Sequence, residues 1–424
     1  MRAITVPDLD GAWRMTAAGA LIKRWAGSLA LVLVAAWVAL WAGEFGLRLV
    51  FHGKLGYASG NVGEWHVPNA TRGWAHRPNA VFHMQKLAFS QVAHINSRGI
   101  RGPEFDTTPK PGITRILIVS DSGTFGSGVA DDQNIAAYLQ RSLGSDKFEV
   151  INLSVAAYST VQQYLWLVEE GLKFKPDVVL LGFAPGNDVQ TSYYPLQKWF
   201  QREAKRPYAR LDASGKLEID NQQMNEALDR KKKGPGLKDR VYDLLVGPMV
   251  QKVIRQASQA LTGGRRTDPN VWIGWIMMED FAMEYARKGR TRAQYEEIWR
   301  DGWAVTGALI KEMRDRSQEA GARFAMWSYV NKLQAEPEAL KRLQQALPKA
   351  RLDMAKPERE LKSLGKRLDI PVIEMLPAIR AAVAKGDRKL YFGIDDEHMT
   401  PWGHQVSAEM IAAQLKTMGL LPAP

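Results

Sequence analysis

The chain has 424 residues, of which 46% are hydrophobic and 24% are charged. This balance is typical of a folded protein with one large or two modest domains, and it excludes wholesale disorder. The absence of cysteine excludes a disulfide framework, a zinc ribbon and a thiol nucleophile. The net charge of +12 indicates either a solvated basic surface or an anionic partner such as lipid headgroups or an acidic polysaccharide. We predict no nucleic acid partner, because the basic residues are scattered through helical stretches such as Arg230–Lys233.

An apolar segment near the N-terminus has the length of a membrane span. Residues Trp25–Gly43 carry no charged side chain, and apolar residues continue for several positions beyond them. About 20 apolar residues cross a hydrocarbon core of roughly 30 Å. The sequence therefore predicts one transmembrane helix over residues 25–51. Lys23 and Arg24 directly precede the apolar run, so the positive-inside rule places residues 1–24 in the cytoplasm.

A cleaved signal peptide and a buried core helix are the two other interpretations of this segment. The segment is longer than the apolar region of a usual signal peptide, and small residues suited to cleavage are poorly placed around Leu40-Trp41-Ala42. We therefore expect a retained anchor in the inner (cytoplasmic) membrane, crossing it once. The main folded domain would then lie on the periplasmic, extracytoplasmic side.

The exported part begins with a lead-in and continues as alternating strands and helices. Residues 52–110 are rich in Gly, Pro, Asn and His and are predicted to be irregular or β-rich. Beyond them, short apolar runs alternate with helical stretches, which is typical of a parallel sheet covered by helices. This pattern assigns residues 111–190 and 320–424 to one α/β domain. The predicted strands are Arg115–Val119, Phe148–Val155, Asp177–Phe183, Arg323–Val330 and Ile370–Met375, and the predicted helices are Gln133–Leu143, Thr160–Leu172, Pro337–Leu347, Leu376–Ala384 and one from Pro401 to about Gly419.

An insertion over residues 191–319 separates the two parts of this domain. It is too long to be a loop, so it must carry structure of its own. Arg206–Asp220 is predicted to form a hairpin, and helices are predicted around Lys238–Leu261 and Ala293–Ala320. Ligands of open α/β sheets bind beyond the carboxyl ends of the strands, where connections emerge. We therefore expect the mainly helical insertion to roof or flank the site.

A serine follows the first predicted strand of the α/β domain. Ser122 stands in a turn that contains Gly123, Gly126 and Gly128, a position from which a hydroxyl is exposed at the top of a sheet. A serine at a strand end is by itself weak support for catalysis. The glycines do not indicate a phosphate-binding loop, because no Gly-Lys-Ser/Thr follows and the Rossmann spacing differs.

Three further polar segments appear in an order that supports catalysis. Residues 152–160 follow the second strand and residues 185–188 follow the third, so both turns lie at the same sheet edge as the serine. Near the C-terminus, Asp395 stands three residues before His398. An aspartate at this distance can fold back to accept the imidazole Nδ1 proton, which leaves Nε2 free to act as a base.

These four segments resemble the blocks of the SGNH/GDSL hydrolase superfamily, and they read here as SDS, NLSVAA, GND and DDEH. The resemblance covers roughly residues 95–200 and 320–420. The lead-in INSRGIRG, which begins at Ile95, also resembles a segment that precedes the nucleophile in bacterial members encoded with exopolysaccharide functions. The resemblance implies an α/β fold, a flavodoxin-like three-layer sandwich with a parallel five-stranded sheet.

The resemblance also implies the catalytic roles. Ser122 would be the nucleophile, His398 the general base and then acid, and Asp395 the residue that orients the histidine. The oxyanion hole would comprise the backbone N–H groups of Ser122 and Ala157 and the side-chain amide of Asn187. One preorganised donor of this kind contributes about 3–4 kcal/mol to the stabilisation of the transition state.

Three positions depart from the pattern of the superfamily. Ser120, Ala157 and Pro185 stand where glycine is usual in the first, second and, often, the third block. None of these changes removes a side chain that does chemistry. If the second turn requires a positive φ, alanine would cost about 1–2 kcal/mol there and could misdirect its amide.

We assign no metal and no cofactor. Five histidines lie in the lead-in without HExxH or paired-ligand spacing: His52, His66, His76, His83 and His94. The acidic run before His398 is an alternative, less favoured site for a divalent ion. His404 is interpreted as a cap or packing residue of the last helix.

The leading functional hypothesis is an ester hydrolase or O-acyltransferase that acts on a small acyl group of a cell-surface glycan or exopolysaccharide. Acetyl is the favoured acyl group. Its partners would be the acylated glycan or small ester, the membrane and the exopolysaccharide machinery. The alternatives are a lipase, lysophospholipase or thioesterase at the membrane, and a catalytically weak scaffold in an envelope complex.

Overall fold

The structure is a computed structural model that describes residues 9–50, 65–86, 88–185, 187–199, 206–222, 224–226, 229, 241, 244–247, 250, 278–280, 291–346, 348, 351–393 and 396–421. The chain divides into two compact units, 1–55 with 233–265 and 56–232 with 266–424. The strands are β1 His66–Asn69, β2 Gly73–His76, β3 Val81–Lys86, β4 Phe89–His94, β5 Thr114–Val119, β6 Phe148–Asn152, β7 Val178–Phe183, β8 Tyr208–Leu211, β9 Leu217–Asp220, β10 Met278–Asp280, β11 Arg323–Ser328, β12 Arg351–Leu352 and β13 Val372–Ile373. The helices are α1 Leu9–Val50, α2 Ser122–Phe125, α3 Ile135–Leu143, α4 Thr160–Glu169, α5 Asp188–Ser192, α6 Tyr194–Trp199, α7 Arg292–Glu319, α8 Lys332–Ala335, α9 Pro337–Ala346, α10 Lys356–Leu368, α11 Leu376–Lys385 and α12 Pro401–Thr417, with 3₁₀ turns at Asp131–Gln133 and Gly171–Phe174.

The smaller unit contains one long helix, α1. Its stretch Arg24–Gly46 has 23 residues with a mean hydropathy of 2.0, which is long and apolar enough to cross a membrane. At 1.5 Å per residue this stretch is about 34 Å long. The helix begins at Leu9, earlier than the predicted span, because the residues before Arg24 include several strong helix formers such as alanine, leucine and methionine.

The helix predicted around Lys238–Leu261 is not continuous where the structure describes it. Residues 244–246 are helical, but Gly247 is not, and its φ is 64°. Proline follows Gly247 in the sequence, and a proline cannot donate the hydrogen bond that would continue the helix. The helix predicted around Lys238–Leu261 is therefore broken at Gly247, and most of its remaining residues lie outside the described part of the chain.

The lead-in forms two antiparallel hairpins, β1–β2 and β3–β4. Asn69 closes the first turn, since its side chain accepts hydrogen bonds from the backbone N–H groups of Thr71 and Arg72. Trp65 and Phe82 of this region are buried in a cluster with Phe125. The lead-in therefore packs directly against the turn that carries Ser122.

A parallel sheet of five strands forms the centre of the larger unit, in the order β13-β11-β7-β5-β6. The predicted strands form because each is a short apolar run; every residue of β7 is buried. In chain order the sheet reads 5-4-3-1-2, which is the flavodoxin-like arrangement. The predicted fold class is confirmed.

Helices cover both faces of the sheet and form the outer layers. One apolar core lies between the sheet and α3, α11 and α12, and a second lies between the sheet and α4, α7 and α10. The strand order reverses between β5 and β7, so a crevice is expected at the carboxyl ends of these two strands. Ser122 follows β5 and Asn187 follows β7, which places both predicted residues beside this crevice.

The insertion contributes a hairpin and a long helix to the larger unit. Strands β8 and β9 pair antiparallel across a turn at Ser214 and Gly215, as the sequence predicted. Helix α7 begins at a capping box, in which the Thr291 side chain accepts from the N–H of Gln294 and the Gln294 side chain accepts from the N–H of Thr291. Its buried residues pack onto the sheet and α4, so α7 belongs to the α/β core.

Candidate active site

The nucleophile turn is fixed by a local cap. Ser122 is the first residue of α2, and the Asp121 side chain accepts a hydrogen bond of 3.0 Å from the N–H of Gly123. A Cβ at Gly123 would lie 2.6 Å from the ring of Tyr329, so only glycine fits beneath this ring. These contacts leave the Ser122 side chain half-buried at the end of β5.

Arg101 of the lead-in binds the end of α2 and the residues that follow it. Arg101, whose side chain is fully buried, donates to the carbonyls of Phe125, Gly126 and Val129 at 2.7–2.8 Å. It also forms a 2.7 Å ion pair with Asp131. A buried guanidinium with this many charge-assisted bonds holds its partners in one geometry. The INSRGIRG segment is therefore part of the frame of the nucleophile turn.

Two side chains support the loop that carries His398. The buried Lys332 ammonium donates to the carbonyls of Phe392 and Gly393, each at 2.7 Å. The hydroxyl of Tyr329 accepts the N–H of Met399 at 3.1 Å. Since Tyr329 also lies against Gly123, its ring connects the histidine loop with the nucleophile turn. Sequence patterns gave no signal for either residue.

The structure brings Ser122 and His398 into hydrogen-bond contact, although 276 positions separate them in the chain. The His398 Nε2 lies 2.9 Å from the Ser122 Oγ. The imidazole side chain retains 17% of its exposure, so it faces a solvent-accessible site. A base within this distance can accept the hydroxyl proton when the serine attacks.

The carboxylate that contacts His398 in the structure belongs to Asp396, whereas the sequence predicted Asp395 for this role. The His398 Nδ1 lies 2.7 Å from Asp396 Oδ1, and the same oxygen accepts the backbone N–H of His398 at 2.9 Å. An Asx turn of this kind, between a residue and the second one after it, brings the carboxylate beside the imidazole. Asp395 itself lies outside the described residues. A spacing of two residues, which suits an Asx turn, was the sequence signal that could have identified Asp396.

The buried Asp396 gives His398 a defined tautomer. Its side chain is only 2% exposed. A carboxylate accepting at Nδ1 requires the proton on that nitrogen, so Nε2 carries the lone pair that faces Ser122. The Ser122 hydroxyl then donates to His398, and His398 donates to Asp396.

Burial raises the pKa of three other acidic side chains in this region and so disfavours their charged forms. Burial raises the pKa of Glu397 to about 7 and also raises the pKa of Asp121. Burial, together with the nearby Asp121, raises the pKa of Asp188 well above its ordinary value. The Asp188 side chain accepts the N–H of Ala184 at 2.7 Å, so it stabilises the third turn.

The side-chain amide of Asn187 forms hydrogen bonds to residues adjacent to the other two predicted oxyanion donors, Ser122 and Ala157. Its Nδ2 donates to Asp121, next to Ser122, at 3.0 Å and to the carbonyl of Tyr158, next to Ala157, at 3.3 Å. An amide nitrogen carries two hydrogens, so both are engaged here. A substrate oxygen would have to compete with the longer bond to Tyr158. Within the described residues, the backbone N–H groups of Ser122 and Ala157 have no hydrogen-bond partner.

Ala157 adopts the left-handed conformation that its sequence position suggested, with a φ of 63°. The turn is held from outside by Arg206, whose Nη1 donates to the carbonyl of Ala157 at 3.1 Å. The Arg206 guanidinium lies 5.1 Å from the ring centroid of Trp74, and the Tyr158 hydroxyl donates to the carbonyl of Trp74 at 2.6 Å. Contacts from the insertion and the lead-in thus maintain a turn that alanine disfavours.

We expect Ala157→Gly to stabilise the protein. Glycine removes a strain of about 1–2 kcal/mol, while its greater freedom in the unfolded chain costs about 0.5–1 kcal/mol. The free energy of unfolding should therefore rise by about 0.5–1 kcal/mol, measured by thermal unfolding of the full chain. The neighbouring Ala156 has no positive φ, so Ala156→Gly should lower the stability. A loss in both variants would contradict the strain.

Ser120 is tolerated at its position because its hydroxyl is fully satisfied. It donates to the carbonyl of Gly182 at 2.7 Å and accepts from the Thr124 hydroxyl at 3.0 Å. Pro185 is described, whereas Gly186 after it is not.

His404 is buried in α12 and neither ring nitrogen has a hydrogen-bond partner within the described residues, which fits packing. In that same part of the chain, no group of three or more metal-ligating side chains is placed to hold an ion.

No protein-family model matches the chain, and no curated protein matches it. Solved structures similar to it include TesA, with 12% identity over 73% of this chain and 100% of that chain and a TM-score of 0.34. The acetyl xylan esterase AlAXEase has 12% identity over 71% of this chain and 99% of that chain, with a TM-score of 0.34. The lipase/acylhydrolase from Enterococcus faecalis has 12% identity over 74% and 100%, with a TM-score of 0.37. Values this low carry no argument about activity, which has to come from the site.

Proposed function

We propose that this chain is a membrane-anchored serine hydrolase of the SGNH type, an esterase or O-acyltransferase for a small acyl group. The observation that carries the proposal is the chain of contacts from Ser122 through His398 to Asp396. Ser122 lies far from His398 and Asp396 in the chain, and the residues between them contribute to the sheet and to both buried cores. These groups therefore meet only when the whole domain is folded. A scaffold that had lost its chemistry would have no need of this alignment.

The proposed reaction proceeds through an acyl-enzyme. As the Ser122 oxygen bonds to the ester carbonyl carbon, its proton passes to His398 Nε2, and Asp396 stabilises the imidazolium that forms. The carbonyl electron pair moves onto oxygen and is stabilised by the oxyanion donors. The bond to the leaving alcohol then breaks, and His398 returns the proton to that oxygen. Water or a sugar hydroxyl next attacks the acyl-enzyme by the reverse proton transfers, which releases an acid or a new ester.

The proposed location follows from α1. The stretch Arg24–Gly46 of this helix is apolar enough to span a membrane, and Lys23 and Arg24 at the start of that stretch favour a cytoplasmic N-terminus. The catalytic domain would then face the periplasm, where glycan esters of the cell surface are accessible. The lead-in that resembles exopolysaccharide-associated proteins supports a glycan substrate, and its Arg101 belongs to the frame of the site.

Two assays of the full chain in detergent test the substrate class. We expect turnover of p-nitrophenyl acetate to exceed that of long-chain esters, because a small acyl group needs no deep apolar groove. A preference for long chains would favour the lipase or thioesterase alternative.

Loss of an acetyl donor is then followed with and without a glycan acceptor. Acylated glycan indicates transfer, whereas donor loss that is independent of acceptor indicates hydrolysis; a Ser122→Ala control should show neither.

A further inference from the structure

Residues 241, 244–246 and 250 of the insertion are helical, whereas Gly247 between them is not and has a φ of 64°. Pro248 follows the glycine in the sequence and has no N–H. In a regular helix the carbonyl of Leu244 would accept from the residue four positions later, which is this proline. The break therefore deprives the carbonyl of Leu244 of its helical partner.

Helix α1 supplies the missing donors. The indole Nε1 groups of Trp37 and Trp41 both donate to the carbonyl of Leu244, at 3.1 and 2.9 Å. Residues four positions apart lie on one face of a helix, and the two ring centroids are 6.3 Å apart. The two tryptophans therefore present a double donor to one carbonyl.

Glu44, one turn further along α1, satisfies the other side of the break. Its carboxylate accepts the N–H of Val250 at 2.9 Å, and the residue is only 1% exposed. A Cβ at Gly247 would lie 2.8 Å from this carboxylate, so the glycine allows the approach. An acidic residue within an apolar span is costly unless it is paired or hydrogen-bonded. This contact accounts for Glu44 inside the stretch Arg24–Gly46.

Several apolar side chains of these two segments are exposed. Leu244 and Leu245 are 61% and 51% exposed, Val241 is 45% exposed, and Phe45 of α1 is 65% exposed. The candidate membrane span of α1 also exposes leucines and valines, among them Leu33, Val38 and Leu40. A broken backbone whose polar groups are satisfied by a neighbouring helix, with apolar side chains outward, is the arrangement that a hydrocarbon environment permits.

We propose that the segment carrying Val241, Leu244, Leu245 and Val250 is a second membrane-embedded element, which lies in the lipid beside the C-terminal part of α1 and is held there by Trp37, Trp41 and Glu44. The occupant of its apolar surface is the lipid of the bilayer. The inference rests on α1 being the proposed membrane anchor. It explains why a tryptophan pair and a carboxylate stand near one end of the span, and it ties the insertion to the anchor.

Fluorescence quenching in proteoliposomes tests the proposal. The natural chain has no cysteine, so Leu245→Cys in the full chain introduces a unique thiol for an environment-sensitive label. We expect quenching by phosphatidylcholine with a nitroxide on its acyl chain, a blue-shifted emission and loss of quenching by aqueous iodide. Ser214→Cys, in the exposed hairpin turn, should show the opposite behaviour. Iodide quenching at Leu245 equal to that at Ser214 would overturn the proposal.

Further variants separate this result from failure of the anchor or of the enzyme. A label at Leu33→Cys reports α1 alone, so protection there with exposure at Leu245 refutes only the second element. Disulfide-linked dimers of Leu245→Cys without lipid quenching would identify a second copy as the occupant and would also overturn it. Esterase activity is measured separately on each labelled protein.

The tryptophan contacts are tested in the Leu245→Cys background. Trp37→Phe with Trp41→Phe keeps an aromatic ring at each position but removes both indole donors, and we expect iodide quenching at Leu245 to return. Trp25→Phe, at a residue that is 71% exposed in the same helix, is the matched control and should leave the protection intact. Protection that survives the double substitution would contradict the role of the two indoles.

Discussion

Ser122→Ala is expected to lower kcat/KM for p-nitrophenyl acetate by about 10⁴-fold or more. The substitution removes the oxygen that lies 2.9 Å from His398 Nε2 and would bond to the acyl carbon. Folding should be unaffected, because the Ser122 side chain is half-buried and its removal leaves the cap at Asp121 intact. Covalent labelling by a fluorophosphonate, followed by mass spectrometry, should locate the adduct on Ser122 and disappear in the variant.

The matched control is Ser127→Ala in the same turn. Ser127 is buried, and its hydroxyl has no hydrogen-bond partner in the part of the chain that the structure describes. We expect this variant to keep its labelling and most of its activity. Equal turnover by Ser122→Ala and the natural protein would refute the nucleophile assignment, and an adduct on another residue would relocate it.

The sheet and the position of Ser122 could be predicted from the sequence because both depend on local patterns joined by a topological rule. The apolar run of β5 is buried on both faces, and parallel strands place their carboxyl ends at one edge. A turn after β5 and a turn after β7 therefore had to meet. The same rule predicts nothing about the loop that carries His398. Only the resemblance of this loop to the fourth block supported the prediction that His398 lies in the site.

The carboxylate partner was predicted one residue away from the one observed, for a physical reason. Whether a side chain reaches an imidazole depends on the loop conformation, and here an Asx turn at Asp396 satisfies the backbone N–H of His398 at the same time. A pattern of residue types does not contain that conformation. The left-handed Ala157 is the opposite case, since a departure from glycine in the second block correctly marked a strained position.

The contacts of α1 with the insertion were beyond sequence reasoning because they join residues about two hundred positions apart. The apolar residues around Leu244 predict an ordinary helix, whereas the structure breaks it at Gly247. Gly-Pro inside a predicted helix is a strong breaker, so the break itself could have been predicted. Its partners Trp41 and Glu44 could not, because each also fits the separate explanation of an anchor end.

Asp396→Asn is expected to reduce kcat by about 10³–10⁴-fold with little change in KM. An amide can present its N–H to Nδ1, which then becomes the acceptor and moves the imidazole proton to Nε2. That tautomer donates to Ser122 and cannot take its proton, so the attack loses its base. The substitution preserves the size of a side chain that is 2% exposed, so a loss of activity without a loss of stability identifies a positioning role. Steady-state kinetics and thermal unfolding of the full chain measure both quantities.

Asp395→Asn makes the comparison decisive, because it alters the neighbouring acid without touching the Asp396 contact. We expect it to cost far less than Asp396→Asn, since the His398 Nδ1 already has its acceptor at 2.7 Å. The two residues differ by one position and carry the same charge, so a general electrostatic effect would lower kcat alike in both variants. A larger loss in Asp395→Asn would return the orienting role to Asp395 and would mean that His398 changes its partner when substrate binds.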